Sequence, residues 1–236
     1  MAEVLSVPFD QDVHYIHSMK RTQVVLKTER GQASGELLMP ETSRKVGIII
    51  AHGAGGNMMD RFTSFFHEQF SAAGYPSLKF NFLYSQQRRK VPDLQPVLIS
   101  CYTKAIETMP AKHVVIGGKS MGGRIASYVA DRDKVLGLFF LGYPLHPPGK
   151  PDKLRDEHLY SIHKPMFFAS GTKDPFARID LLNKTITKID TFASTYFVPE
   201  AGHSFDLPRK GGVSQDDTNK AVAIALLDWL ETRFGR

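Results

Sequence analysis

The chain has 236 residues, 42% hydrophobic and 23% charged, with 30 Lys and Arg against 24 Asp and Glu for a net charge of +6. This is ordinary globular content, which excludes disorder, fibre and coiled coil, and a chain of this length buries roughly 70–75% of its unfolded surface without covalent staples. One cysteine, Cys101, excludes an intrachain disulfide framework and a four-cysteine zinc site.

In chain order, the N-terminus MAEVLSVPFD lacks the basic start and apolar stretch of a signal peptide. The apolar run Val135–Tyr143 has nine residues where a bilayer span needs roughly 20. A soluble cytoplasmic protein with no membrane partner is therefore expected, as one domain over residues 1–236. Residues 1–22 carry no recognisable motif, and His14 and His17 are too isolated to hold a metal. A hairpin follows, Gln23–Thr28 and Gly35–Met39 about a turn at Glu29-Arg30-Gly31.

After Pro40 the pattern becomes strand, loop, helix, repeated. Val46–Ala51 (VGIIIA) is a continuous β-branched run, as in a strand buried on both faces. Asp60–Ala73 spaces its phenylalanines helically, and Ser77–Phe82 reads as a strand. Pro92–Met109 reads as a helix with Cys101 on its apolar side, the setting of a packed thiol and not of a nucleophile. Before it, Arg88-Arg89-Lys90 is the densest basic cluster, too short and too poor in aromatics for a nucleic-acid reader. No nucleic-acid partner is expected. His113–Gly117, Val135–Leu141, Pro165–Ser170 and Ser194–Pro199 read as strands; Met121–Asp131, Ile179–Ile189 and Asp217–Phe234 read as helices. This alternation predicts an α/β fold with a mainly parallel central sheet flanked by helices. Ligands in such folds bind beyond the C-terminal strand ends.

The chemistry-bearing motifs stand at those ends. Strand HVVIG runs into Gly118-Lys119-Ser120-Met121-Gly122, which fits G-x-S-x-G with Ser120 as nucleophile. A strand reversing sharply into a helix leaves the serine exposed, and side chains at the flanking glycines would collide. The rival P-loop reading of Gly-Lys-Ser needs glycine at position 113, which is histidine. A weak nucleophile needs a base that a third group orients. Asp174 follows strand PMFFAS, and His203 follows strand STYFVP, giving the chain order serine, acid, histidine.

His52-Gly53-Ala54-Gly55-Gly56 follows the first core strand. Its small residues let backbone amides approach a substrate, so an oxyanion hole is expected from the amides of Met121 and Ala54, with Gly55 the neighbouring choice. The G-x-G-x-x-G dinucleotide pattern is broken at Met58, and His52 precedes the nucleophile, which suits a loop-fixing hydrogen bond. Gly55, Tyr84, Arg88, Tyr143 and His146 lie just past strand ends and are expected to border Ser120, ordinary loop packing being the other reading. Arg88 with Arg89 would form a cationic rim suited to an acidic acyl substrate.

AHGAGG (Ala51–Gly56), KFNFLY (Lys79–Tyr84), RRKVPD (Arg88–Asp93), GGKSMGGR (Gly117–Arg124), GYPLHPPGKP (Gly142–Pro151) and SGTKDPF (Ser170–Phe176) together resemble the α/β-hydrolase superfamily. The resemblance runs from Val46 to the C-terminus. It is strongest to the small hydrolases grouped with the testis-expressed-thirty protein and the third subunit of the NSL complex, and looser to dienelactone hydrolase-like enzymes. It implies the triad Ser120, Asp174 and His203, no cofactor, and a serine hydrolase of unspecified ligand. A catalytically silent interaction module remains the alternative, since fold does not imply function. Lids in this fold fall between the strand after the elbow helix and the strand before the acid. Here that gap, Gly142–Lys164, has 23 residues and four prolines, with one short helix expected near Asp152–Ile162. That is too little for a cap domain. A shallow site for a small soluble ester follows.

Overall fold

Val46–Ala51 forms β3, and all six of its residues are buried. Side chains alternate across a strand, and here Ile48 and Ile50 enter one apolar cluster while Ile49 and Ala51 enter another. These two clusters are the two faces of one sheet. The computed structural model describes residues 19–189, 193–208 and 212–235, so His14 and His17 lie outside the described residues.

The sheet has eight strands in the order β1-β2-β4-β3-β5-β6-β7-β8. β1 (Met19–Thr28) and β2 (Gly31–Pro40) form the expected hairpin, and β2 also pairs antiparallel with β4 (Ser77–Phe80). β1 begins at Met19, so the last four residues of the stretch without a motif are strand, paired with Leu37–Pro40. From β4 through β3, β5 (His113–Lys119), β6 (Val135–Leu141), β7 (Met166–Gly171) and β8 (Ala193–Val198), every pairing is parallel. Helices α1 (Arg61–Ala72) and α6 (Gln215–Phe234) cover one face through Phe66, Phe70, Leu226 and Trp229. On the other face lie α3 (Gln95–Thr108), α4 (Met121–Ser127) and α5 (Ile179–Lys188), with Cys101, Tyr102, Ile125 and Leu182 inward. The chain leaves β3 for β4 on one side and returns to β5 on the other, so the crossover reverses beside the ends of β3 and β5. A crevice opens at such a switch point.

Three elements depart from expectation for local reasons. β4 stops at Phe80 because Asn81 turns away: its side-chain oxygen accepts from the Met58 N–H (2.8 Å), and the Phe82 N–H donates to His52 Nε2 (3.2 Å). A short helix, α2 (Leu83–Gln86), follows. α3 starts at Gln95 rather than Pro92. α4 ends at Ser127, four residues short of Asp131, where the Ser127 hydroxyl donates to the Arg124 carbonyl (2.6 Å) and competes with the helical ladder. Between β6 and β7 the only regular piece among the described residues is a 3-10 turn, Glu157–Ser161. There is no cap domain among the described residues. Among the described residues no helix is long and apolar enough to cross a membrane.

One polar cluster is buried between β2, β4 and α1. Glu36 faces Lys79 across the β2–β4 ladder at 3.2 Å and also bonds Arg21 and Gln23. Burial alone pushes the Glu36 carboxyl up, but Lys79 and then Arg21 and His67 hold it below the usual carboxylate range. That stabilisation is present above the unfolded value of 4.5 and is lost as pH falls through the lower folded value. Lys79→Met removes the buried ammonium partner of the carboxylate, leaving Arg21, Gln23 and His67, and should cost about 3 kcal/mol in urea unfolding, while adding Glu36→Leu should recover most of the loss.

Candidate active site

β5 delivers its last residue, Lys119, to the crevice and turns at once into α4. Ser120 takes φ 50° and ψ −116°, a left-handed conformation for a residue with a side chain. Such backbone costs about 1–3 kcal/mol and persists only where the surroundings impose it. They do so by contact with β3. A Cβ at Gly118 would lie 2.3 Å from the Ala51 carbonyl oxygen, and one at Gly122 would lie 2.4 Å from the same atom. The strand behind the turn is further held by Tyr102 of α3, whose hydroxyl accepts from the Gly117 N–H (2.9 Å) and donates to the Gly117 carbonyl (2.6 Å). Lys119 places its ammonium 4.4 Å from the centre of the Phe62 ring, not over a phosphate cradle.

Asp174 and His203 arrive from the loops after β7 and β8. Asp174 Oδ1 accepts from the Phe176 N–H (2.8 Å), which leaves Oδ2 for His203 Nδ1 at 2.7 Å. His203 Nε2 lies 2.8 Å from Ser120 Oγ. The Asp174 side chain is fully buried, and that of His203 is 17% exposed, so the imidazole alone bridges a dry carboxylate and an open hydroxyl. The Phe176 ring packs on the imidazole at 4.3 Å. With the ring proton on Nδ1, donated to Asp174, Nε2 can accept the serine proton.

The loop after β3 is fixed by His52 and Tyr84. Buried His52 bonds the Gly53 carbonyl through Nδ1 (2.8 Å) and accepts from the Phe82 N–H through Nε2. Burial lowers its pKa, so it stays neutral. The Tyr84 hydroxyl donates to the same Gly53 carbonyl (3.3 Å). Beyond this anchor, Ala54 is exposed, and its amide has no backbone partner among the described residues. Met121 is the first residue of α4, so its N–H also lacks an intrahelical acceptor. Ala54, Met121 and Ser120 line one cavity of about 240 Å3 with Leu98, Pro144 and Phe176.

The expected mouth residues are placed differently. Tyr84 is buried under the loop and not at the mouth, and burial pushes its hydroxyl up to about 12. Tyr143 is buried and donates to the Arg155 carbonyl (2.7 Å). His146 is buried, bonding the Pro147 carbonyl through Nδ1 and accepting from the Arg178 N–H through Nε2. All three are loop-packing residues, and short polar or aromatic loops after strands do not reveal from sequence which way they turn. Gly55 and Arg88 line a separate bay of about 400 Å3 with Ser85 and Lys90, while Arg89 pairs with Asp93 and Gln87. The cations in the wall of the Ser120 cavity are instead Arg124 and Arg155. Arg124 lies four residues after Ser120, a spacing that shares a helix face and could have been read. Nothing in the proline-rich loop marked Arg155.

The alpha/beta hydrolase domain model matches residues 44–231. The chain belongs to the alpha/beta hydrolase family. Among solved structures, this hydrolase fold superposes on dienelactone hydrolase from Anabaena variabilis with a TM-score of 0.72 at 20% identity, over 92% of this chain and 100% of that one. An alpha-beta serine hydrolase homologue from Coxiella burnetii gives 0.71 at 16% identity, over 89% and 97%. Est1E from Butyrivibrio proteoclasticus gives 0.69 at 13% identity, over 91% and 99%.

The elbow contact makes a direct prediction. Gly122→Ala forces a methyl group against the β3 backbone and should cost about 1–3 kcal/mol in thermal or urea unfolding. An unchanged stability would mean that the turn is not held against Ala51.

Proposed function

We propose that the protein is a serine hydrolase, a carboxylesterase acting on small soluble esters through an acyl-enzyme. The observation that carries the reading is the chain of contacts from Asp174 through His203 to Ser120, 2.7 and 2.8 Å long. Ser120 Oγ attacks the ester carbonyl while its proton passes to His203 Nε2, and Asp174 stabilises the imidazolium that forms. The amides of Met121 and Ala54 receive the negative charge on the carbonyl oxygen. Collapse of the tetrahedral intermediate expels the alcohol, which takes the proton from His203. Water, deprotonated by the same imidazole, then attacks the acyl-serine and releases the acid, restoring Ser120. Every step is carried by residues of the chain, and no cofactor is invoked.

Fold relatives described as esterases, from Rhodothermus marinus and Pyrococcus furiosus, support ester chemistry. Cys101 is buried and its thiol is pushed up to about 11 by that burial, so it is no rival to Ser120 as nucleophile.

A fluorophosphonate probe should label the protein at Ser120 and lose its target in Ser120→Ala. Ser120→Ala and His203→Ala should each lower kcat by several orders of magnitude and the double variant by little more, because the three residues act as a unit. Losses that multiply would contradict that unit. No labelling of the folded wild type would leave the interaction-module reading.

The cavity also limits chain length. With a 3-10 turn and loop in place of a cap, a long acyl tail stays in water at about 0.8 kcal/mol per CH2 left unburied. For p-nitrophenyl esters kcat/KM should peak at short acyl chains. A peak at about twelve carbons or beyond would reveal an apolar tunnel.

A further inference from the structure

Two guanidinium groups, Arg124 of α4 and Arg155 of the β6–β7 loop, stand in the wall of the Ser120 cavity. Among the described residues neither has a carboxylate within ion-pair distance. Arg124 Nε is buried and has no hydrogen-bond partner among the described residues. Arg155 is held below the usual arginine range by burial first and by the Arg124 charge second, so the two cations feel each other. The nearby acids are engaged elsewhere. Asp156 Oδ2 accepts from Tyr160 and Thr185. Asp93, which also lines the cavity, accepts from Arg89 through Oδ1 and from the Tyr84 N–H through Oδ2.

Two like charges without a counter-ion in one cavity wall are unfavourable, and one anion between them relieves the repulsion. The guanidinium fork matches a carboxylate in particular. The cavity also indicates which half of the substrate it takes. Both oxyanion amides line it, through Ala54 and Met121, whereas His203, which protonates the leaving oxygen, does not. It is therefore the acyl side. At about 240 Å3 it is smaller than the roughly 300–1,000 Å3 usual for ligand pockets, which suits a short acyl chain.

We propose that Arg124 and Arg155 form an anion subsite that selects short acyl chains ending in a carboxylate, so that the substrates are half-esters of short dicarboxylic acids. This rests on the esterase reading and narrows its substrate. The charge sits on the same helix as the nucleophile, one turn on, so binding the distal carboxylate sets the position of the carbonyl at Ser120. It also replaces the rim expected of Arg88 and Arg89 by a deeper pair.

The test compares p-nitrophenyl hydrogen glutarate with its neutral methyl-capped counterpart, p-nitrophenyl methyl glutarate. The wild type should prefer the free acid in kcat/KM by about ten- to hundredfold, the size of a charge-assisted hydrogen bond, and rising salt should shrink the ratio. Arg124→Gln and Arg155→Gln should each lower the ratio about tenfold, mainly through KM, and Arg155→Lys should restore part of it. Should Arg124→Gln fail to fold, the Arg155 variants and the salt dependence decide. A wild-type ratio near one, or a ratio untouched by both substitutions, overturns the subsite while leaving the esterase. Glutarate binding to Ser120→Ala, measured by calorimetry, separates the two claims. Binding that Arg155→Gln abolishes, with neither ester turned over by the wild type, supports the subsite and overturns the esterase; no binding overturns the subsite.

Discussion

The structure turns on one close contact, the approach of the Ser120 elbow to the carbonyl end of β3. Gly118 and Gly122 both abut the Ala51 oxygen at distances no side chain tolerates. Parallel pairing of β3 with β5, running from Val46↔His113 to Ala51↔Gly118, brings the two strand ends level. The turn then has one path, over the end of β3, and Ser120 is left with positive φ and its hydroxyl outward. The next residue after Ala51 opens the loop that carries Ala54. One contact therefore fixes both Ser120 and the start of the loop that brings Ala54 to the same cavity.

The other two members of the constellation are placed by a second set of backbone contacts. A Cβ at Gly171, the last residue of β7, would lie 2.2 Å from the Ala201 carbonyl, so the loops bearing Asp174 and His203 run backbone against backbone. The Lys173 N–H donates to the Ala201 carbonyl (2.9 Å), and the Thr172 N–H to the Val198 carbonyl (3.0 Å). With the loops tied this way, the imidazole has little freedom except rotation, and Asp174 on one side and Phe176 on the other restrict that. Both sides store strain: Ser120 has φ 50°, and Glu200 and Phe205, which flank His203, have φ 59° and 62°.

What was legible in the sequence follows the range of the physics. The elbow, the order Ser120, Asp174, His203 and the strand VGIIIA are written in short-range sterics and in apolar runs, and the structure brings the three side chains together. His52 was read as a loop anchor from chain order, because it precedes Ser120, and it bonds the Gly53 carbonyl and the Phe82 N–H. Tyr84, Tyr143 and His146 were misread because their roles depend on partners far along the chain, the Gly53 carbonyl, the Arg155 carbonyl and the Arg178 N–H. An aromatic residue after a strand looks the same whether it turns inward or outward. The Arg124–Arg155 pair was invisible from charge density, since the dense cluster Arg88-Arg89-Lys90 lies in the adjacent bay. Arg124 is legible only by its place one turn after Ser120, and Arg155, in a proline-rich loop, leaves no local pattern.

The central claim is that Ser120 becomes covalently acylated, and mass spectrometry of quenched enzyme tests it most directly. Mixing the wild type with p-nitrophenyl acetate and quenching in acid before deacylation completes should yield an acetyl group on the peptide containing Ser120. The adduct should decay as acetate appears. Turnover without any adduct on that peptide, or with the acetyl group on another residue, would contradict the account.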